Sequence, residues 1–290
     1  MNRKLVSFDW AIKRLLRSKA NFGVLEGFLS ELLYTDITII EILDSESNKE
    51  TEYDKFNRVD IKVKDSSGSI ILIEIQYSRE LDYLQKTLYG TSKVITKHMS
   101  ESKAYSNVVK VISVNILFFK FGTEDDYIYH GTTIFTGIHS HSILELSDSQ
   151  KQLYKHQKVA DIYPEYYLIN VNNFNNIARD TLDEWVYFLK NEVIEDSFRA
   201  KGLKEAYQTL DILKMDEKER AAYDRYCDQL RYDASMYEST YITGRTEGLE
   251  QKAFTVAEIM IKSGESDEKT ALYTGLSIGR IKEIRNRIGS

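Results

Sequence analysis

Two carboxylates on neighbouring predicted strands are the residues best placed to do chemistry in this chain. Glu74 stands inside the apolar run IILIEIQ, where an ionised side chain costs several kcal/mol unless a partner compensates it. Asp60 lies on the preceding strand, NRVDIKVKD, close enough to face Glu74 across a hairpin. Facing carboxylates repel each other and raise at least one pKa unless a cation lies between them. The pair predicts a site for a hard divalent cation, with oxygen ligands from both side chains and the backbone carbonyl of Ile75.

Strand alternation adds two more polar groups to the same face. Gln76 is two residues from Glu74, and Lys62 is two residues from Asp60, so each pair shares a side of the sheet. The residues also allow a structural interpretation with no metal. In that alternative, Glu74 forms a buried salt bridge with Lys62 or Lys64, and Asp60 is solvated at a sheet edge. The pattern alone favours neither interpretation.

The elements that must position these groups follow from periodicity and turn residues. Residues 8–33 predict a helix interrupted at 18–23, and Asp65–Ser69 predicts a tight turn between the two carboxylate-bearing strands. Three further segments flank these two strands: the strand TDITIIEIL, a polar loop or hairpin at 45–57 and a helix at 81–105. The run VVKVISVNILFF predicts another central strand. This order predicts an α/β or α+β fold with a mixed central sheet flanked by helices.

The C-terminal third of the chain has a different character. From Asp180 onward the pattern is helical almost without interruption, and residues 217–262 predict one or two long exposed helices. The sequence therefore predicts a sheet-containing domain over 1–178, a long helical stem over 179–252 and a small helical tail over 253–290. A homo-oligomer could form through these C-terminal helices.

Composition limits the partners and the compartment. The chain has 39 lysines and arginines against 45 aspartates and glutamates, a formal net charge of −6, so any contact with nucleic acid must come from a local basic patch. The single cysteine, Cys227, excludes an internal disulfide and a cysteine-rich zinc site. No run approaches the ~20 apolar residues of a membrane span, and the charged N-terminal helix is unlike a signal peptide. A cytoplasmic protein with no membrane partner is expected.

Several segments resemble one nuclease family. The stretch RVDIKVKDSSGSIILIEIQ resembles the D…ExQ form of the PD-(D/E)XK motif, and the chain as a whole resembles the Rpn family of recombination-promoting nucleases and transposases. FDWAIKRLL resembles the opening D-x-x-F-K helix of that family, with Ile12 in place of the aromatic residue. Tyr83–Met99 resembles its post-motif helix, with Lys86 where an arginine is usual. Residues 220–252 resemble its helical stem.

The resemblance implies a restriction-endonuclease-like core that binds Mg²⁺ or Mn²⁺ and cleaves DNA, with Asp60 and Glu74 as metal ligands. The superfamily usually has a lysine at the third motif position, where this chain has Gln76, which cannot supply a positive charge or act as a base. Lys62 is the candidate for that charge. The superfamily often adds a helix carboxylate, for which the candidates are Glu26 and Glu31. Asp9 and Lys13 fit better as a surface pair one helical turn apart.

The tail carries a second signal. A helix predicted to end at Ser263 and Gly264 is followed by DEKTALYTGLSIGRIKEIRNR, which has the spacing of a helix-turn-helix with Ser277 as the cap of its second helix. That helix could offer basic and polar residues to a DNA groove: Arg280, Lys282, Arg285, Asn286 and Arg287. A small dimerisation bundle with solvated charges is the equally supported alternative.

The sequence thus predicts a divalent-metal-dependent DNA endonuclease, a hydrolase of phosphodiester bonds connected with DNA recombination or mobile elements. Two alternatives belong to other classes. One is a DNA-binding or regulatory protein whose nuclease site has decayed, with Gln76 as the sign of the decay. The other is a scaffold that oligomerises through its long helices.

Overall fold

A computed structural model describes residues 5–14, 16, 18–43, 60–100, 105–123 and 125–288. Within them, nine α-helices and six strands are assigned. The helices are α1 (Phe8–Arg14), α2 (Phe22–Leu33), α3 (Tyr83–Ser100), α4 (Asp148–Tyr154), α5 (Thr181–Asn191), α6 (Leu203–Thr209), α7 (Glu217–Lys262), α8 (Asp267–Thr274) and α9 (Ile278–Ile288). The strands are β1 (Ile39–Leu43), β2 (Ile61–Asp65), β3 (Ile70–Gln76), β4 (Val111–Leu117), β5 (Ile128–Gly131) and β6 (Glu165–Asn170). The predicted mixed sheet with flanking helices is confirmed.

The six strands form one sheet in the order β1-β2-β3-β4-β6-β5. β1, β2 and β3 are antiparallel neighbours, whereas β3, β4 and β6 run parallel. Every residue of β4, and every residue of β3 up to Ile75, is buried. Central parallel strands are covered on both faces, which explains why IILIEIQ and VISVNIL are almost continuously apolar.

The turn between β2 and β3 fixes their register. The Asp65 carboxylate accepts hydrogen bonds from the backbone N–H groups of Ser67 (3.0 Å) and Ser69 (2.8 Å). Gly68 adopts a φ of +88°, which a residue without a β-carbon tolerates best. The resulting register pairs Ile61 with Ile73. The turn predicted over Asp65–Ser69 is therefore present.

Helix α3 covers the sheet face that carries Glu74. Ile70 and Leu72 of β3 form a cluster with Val111, and Val94 and Ile95 of α3 pack against it. Since alternate residues of a strand share a face, Glu74 lies on the same side as Ile70 and Leu72. A polar residue at this position must therefore find its partners on α3 or on the neighbouring strands.

Some boundaries differ from those predicted. The helix predicted over 81–105 is α3 followed by a separate 3₁₀ turn at Tyr105–Asn107, and the strand predicted over 108–119 is shortened to Val111–Leu117. The break predicted near 18–23 separates α1 from α2. The polar loop predicted at 45–57 lies outside the described residues.

An aromatic cluster joins α1, α2 and α5. The rings of Phe8 and Phe28 lie 5.4 Å apart, and Trp185 lies 5.4 Å from Phe28 and 5.9 Å from Phe8. Nearby, α2 approaches the backbone before α6 so closely that a β-carbon on Gly27 would lie 2.3 Å from the Lys201 carbonyl oxygen. The segment after residue 178 thus packs on the N-terminal helices before the long helix begins.

This close approach gives a stability prediction. Gly27→Ala must push two backbone segments apart, and such overpacking costs about 1–3 kcal/mol in the free energy of unfolding. Gly23→Ala on the same helix is the control, because its β-carbon would come no closer than 3.8 Å to a flexible side-chain atom of Glu205. Chemical denaturation should show a loss of stability for the first variant alone. Equal midpoints for the two variants would contradict the packing seen here.

By compactness the chain divides into residues 1–224 and 225–290. Helix α7 is one continuous helix of 46 residues, in agreement with the long helix predicted for 217–262. The boundaries predicted near 178 and 252 differ from this division, and the three-part organisation stays a prediction. Among the described residues, no helix combines the length and apolar character that crossing a membrane requires.

Candidate active site and helical tail

Asp60 lies immediately before β2, where the hairpin brings it to Glu74. Its backbone N–H donates to the Ile73 carbonyl (3.0 Å), and its Oδ2 accepts from the backbone N–H of Ile75 at 2.6 Å. Because Ile61 pairs with Ile73, the next opposing positions in this register are Asp60 and Glu74. The carboxylate pair predicted from the sequence is therefore brought together at one end of the hairpin.

Glu74 is only 7% exposed, and a lysine of α3 pairs with it. Lys86 Nζ lies 2.8 Å from Glu74 Oε1, whereas the sequence had suggested Lys62 or Lys64 as salt-bridge partners. Burial raises the pKa of Glu74 above its usual value, the Lys86 ammonium opposes this, and the charges of Asp60 and Glu80 add to the increase. A carboxylate whose pKa is raised by burial and by a neighbouring acid is favoured in its charged form by any added cation.

Gln76 and Glu80 extend this cluster towards solvent. Gln76 Nε2 donates to Glu80 Oε1 at 2.8 Å and to the Ser78 carbonyl at 3.2 Å. Lys86 Nζ lies 3.3 Å from Glu80 Oε2, so its ammonium is shared between two carboxylates. Lys86 thus places a positive charge beside the motif glutamate. Lys62, which the sequence suggests for this role, is buried in β2 opposite Leu72, and its role stays a prediction.

A buried tyrosine–asparagine pair joins α3 to the sheet beside Glu74. Asn115 of β4 is the register partner of Glu74, and its side-chain oxygen accepts from the Tyr83 hydroxyl at 2.9 Å. Asn115 in turn donates to the Tyr167 carbonyl at 3.2 Å. Burial and then the charge of Glu74 raise the pKa of Tyr83, which keeps its hydroxyl protonated. Sequence reasoning did not identify this pair, although a lone asparagine within VISVNIL was a signal.

Asp9 is the carboxylate whose environment differs most from expectation. It was expected in a surface pair with Lys13, but Asp9 is only 2% exposed; the Lys13 side chain lies outside the described set. Asp9 and Asp60 both raise the pKa of Tyr77, after the larger effect of burial, so both charges act on this one phenol. Helix α1 therefore carries a buried carboxylate, where the sequence predicts a surface one.

The helix carboxylates suggested from the sequence have other contacts. Glu26 Oε1 accepts from the backbone N–H of Ile39 at 2.7 Å, which ties α2 to the start of β1. Glu31 accepts from the Thr181 hydroxyl and from the backbone N–H of Lys201, which ties α2 to the segments around α5 and α6. These bonds tie Glu26 and Glu31 into the fold, and a catalytic role for either carboxylate stays a prediction.

The donors at the hairpin end fit a hard divalent cation. Asp60 and Glu74 offer carboxylate oxygens, and the Ile75 carbonyl and the Gln76 amide oxygen lie on the same strand. Within the described part of the chain, no group of three or more His, Cys, Asp or Glu side chains is gathered closely enough to hold a metal. Mg²⁺ binds through one or two carboxylates and keeps several waters, so a two-carboxylate set suits it.

The tail has the helix arrangement predicted for it. Gly264, with a φ of +82°, follows the end of α7, and Gly275, with a φ of +72°, ends α8. Ser277 Oγ accepts from the backbone N–H of Arg280 at 3.3 Å, as expected of a helix cap. A small apolar core closes the unit and is formed by Ala257, Ile261, Ile281 and Ile284.

The five tail residues suggested for DNA do not share one face. Arg285 Nε lies 2.8 Å from Asp267 Oδ1, and its Nη2 donates to the Glu265 carbonyl, so this side chain joins α9 to the start of α8. Arg287 lies 2.9 Å from a carboxylate oxygen of Glu258 in α7, and its guanidinium lies over the Phe254 ring. The sequence shows that these residues are charged, but it does not show which residues of the same chain they contact. Lys282 and Asn286 keep exposed side chains. Arg280 is also exposed, but it pairs with Glu283 of its own helix and lies 5.8 Å from the centre of the Phe254 ring of α7.

Comparison with known proteins gives one match. A family model described as PD-(D/E)XK nuclease family transposase matches residues 6–240, which include the hairpin, α3 and about the first half of α7. No curated protein matches the chain, and no solved structure does.

Proposed function

The chain belongs to the PD-(D/E)XK nuclease family transposases, and from this we propose that it is a divalent-metal-dependent endonuclease that hydrolyses DNA phosphodiester bonds. The observation that carries the proposal is the placement of Asp60 beside the buried Glu74 at the end of the β2–β3 hairpin. A connection with recombination or mobile elements is part of the same proposal. Nicking of supercoiled plasmid in Mg²⁺ tests it.

Asp60, Glu74 and the Ile75 carbonyl would hold the cation, which when bound supplies charge stabilisation at the scissile phosphate and a more acidic water. Burial of Glu74 in the sheet keeps its carboxylate in one orientation. The bond from the Ile75 N–H does the same for Asp60. The rigid hairpin therefore aligns two oxygen ligands before any substrate arrives.

Two further residues act on the substrate side. Lys86 brings a positive charge to within 2.8 Å of Glu74, where it can stabilise the negative charge that develops on a phosphate. Gln76 cannot exchange a proton at neutral pH, but its amide orients Glu80 and can orient a water. Proton transfer from the attacking water then depends on solvent or substrate and not on the third motif residue.

The tail is proposed as an accessory DNA contact through its exposed residues. Each phosphate neutralised by a Lys or Arg releases counterions, so binding through Arg280 and Lys282 depends on salt. Replacing both with alanine should weaken DNA binding at low salt and reduce the slope of log K against log salt concentration by about two. Arg285→Ala is the comparison variant. Because it removes the bond with Asp267, it should lower the thermal stability of the tail. An unchanged slope in the double variant would favour the dimerisation bundle.

A homo-oligomer formed through α7 is also part of the proposal. Large apolar and aromatic side chains are exposed along this helix, and they include Tyr232, Met236, Tyr237, Tyr241, Ile242 and Leu249. Exposed apolar residues along a helix of this length favour association with a second helix, because burying apolar surface is favourable. Light scattering on the full chain measures the mass that decides this point.

A further inference from the structure

We propose that Lys86 is a tethered counter-ion that neutralises Glu74 in the metal-free protein and competes with the divalent cation for it, with Glu80 receiving the ammonium when the cation binds. This inference rests on the proposed function, since it requires a cation at Glu74. It adds to Lys86, and assigns to Glu80, a control of metal affinity that can be measured without DNA.

The geometry places the ammonium between two acceptors. Lys86 Nζ lies 2.8 Å from Glu74 Oε1 and 3.3 Å from Glu80 Oε2. The side chain of Glu74 is 10% exposed and that of Glu80 is 35% exposed, so one acceptor is inside and the other is near solvent. A small displacement of a flexible lysine therefore moves its charge from the buried acceptor to the outer one.

Glu80 is held in place to receive that charge. Gln76 Nε2 donates to Glu80 Oε1 at 2.8 Å, and Gln76 belongs to the same rigid strand as Glu74. Lys86 Nζ also lies 5.5 Å from the centre of the Tyr83 ring, which attracts a cation through its π face. The lysine is thus guided by the ring and by two carboxylates, and the outer carboxylate has a fixed position.

Competition follows from the charges involved. A buried carboxylate without a counter-charge is costly, so the metal-free site needs Lys86 at Glu74. A divalent cation bound at Glu74 repels an ammonium a few ångströms away. The cation also neutralises the charge of Glu74, so the Lys86 ammonium is no longer needed there. Metal binding must therefore displace Lys86 from Glu74, and the free energy of that displacement reduces the measured affinity.

The first test titrates Mn²⁺ alone into the full chain by calorimetry at pH 8. Lys86→Met keeps the length of the side chain and removes its charge, so Mn²⁺ affinity should rise by between ~5-fold and ~150-fold, the usual range for coupled sites. The melting temperature in EDTA should fall, and saturating Mn²⁺ should restore it. Lys120→Met, at an exposed position outside α3, is the control and should change neither quantity. Lys86→Arg should behave like the wild type.

The second test should change Mn²⁺ affinity in the opposite direction. Glu80→Gln removes the outer acceptor, so Lys86 should stay at Glu74 and Mn²⁺ affinity should fall. A general electrostatic effect of Glu80 would lower the affinity in any background. The effect of Glu80→Gln should instead disappear in a Lys86→Met background, because Glu80 acts only through the lysine.

The outcomes separate this inference from the proposed function. If Mn²⁺ binds the wild type and all variants with one affinity, the metal site stands and competition by Lys86 is excluded. Weaker binding in Lys86→Met would likewise exclude it and make the lysine a partner of the metal. If neither the wild type nor any variant binds Mn²⁺, the metal-dependent function itself fails, and the competition with it.

Discussion

Asp60→Asn and Glu74→Gln should each reduce the rate of plasmid nicking in Mg²⁺ at least ~100-fold, the usual cost of removing one electrostatic contact at a reacting phosphate or acyl group. Both substitutions remove a charge and preserve shape. The asparagine can still accept the Ile75 N–H, and the glutamine can still accept from Lys86. Loss of activity would then reflect loss of a cation ligand and not of a structural hydrogen bond.

A substitution of another carboxylate in the same sheet and a check that each variant is folded provide the controls for this experiment. Glu41→Gln changes an exposed acid on β1, in the same sheet, and should nick at the wild-type rate. Circular dichroism spectra of all three variants should match the wild type. Wild-type nicking by either site variant would show that the hairpin carboxylates do not carry the chemistry.

Removal of the divalent metal should reduce the nicking rate at least as much as either carboxylate substitution does. Nicking should stop in excess EDTA and return when Mg²⁺ or Mn²⁺ is added beyond the chelator, because two carboxylates without a cation repel an incoming phosphate. Ca²⁺ accepts six to eight ligands in looser geometry, so it should bind and leave the rate near zero.

A titration of rate against each ion checks the metal prediction. Ca²⁺ added to a reaction running in Mg²⁺ should inhibit it, because both ions use the same oxygen ligands. Cleavage that persists in EDTA would require a different chemistry, and rates that are equal in Ca²⁺ and Mg²⁺ would argue against a strict octahedral site.

The hairpin was predictable because its signals are local. Alternation in NRVDIKVKD, the turn residues Asp65–Ser69 and the continuous apolar run after them define two adjacent strands and their register. Once the register is known, Asp60 and Glu74 must lie near each other. The same reasoning predicted one or two long helices over 217–262, because a proline-free segment dense in helix-forming residues favours a helix; the structure has one continuous helix there.

The contacts around Glu74 could not be read from the sequence, because they join separate elements. Lys86 and Glu80 follow the strand by several residues, and only the packing of α3 on the sheet brings Lys86 to Glu74. Asp9 was expected at the surface because a charged residue in a short helix usually is, yet it is buried. The sequence predicts Arg285 as a DNA contact, and its bonds with Asp267 and Glu265, which join separate segments of the tail, likewise could not be predicted from the sequence.

The most direct test of the central proposal is Mn²⁺ binding without DNA, measured by calorimetry on the wild type, Asp60→Asn and Glu74→Gln. If the two hairpin carboxylates are the metal ligands, the wild type should show saturable binding. Each variant should lose at least ~100-fold in affinity, since each loses a charged ligand. Glu41→Gln should bind as the wild type does. Equal affinity in all four proteins would contradict the assignment of Asp60 and Glu74 as the metal site.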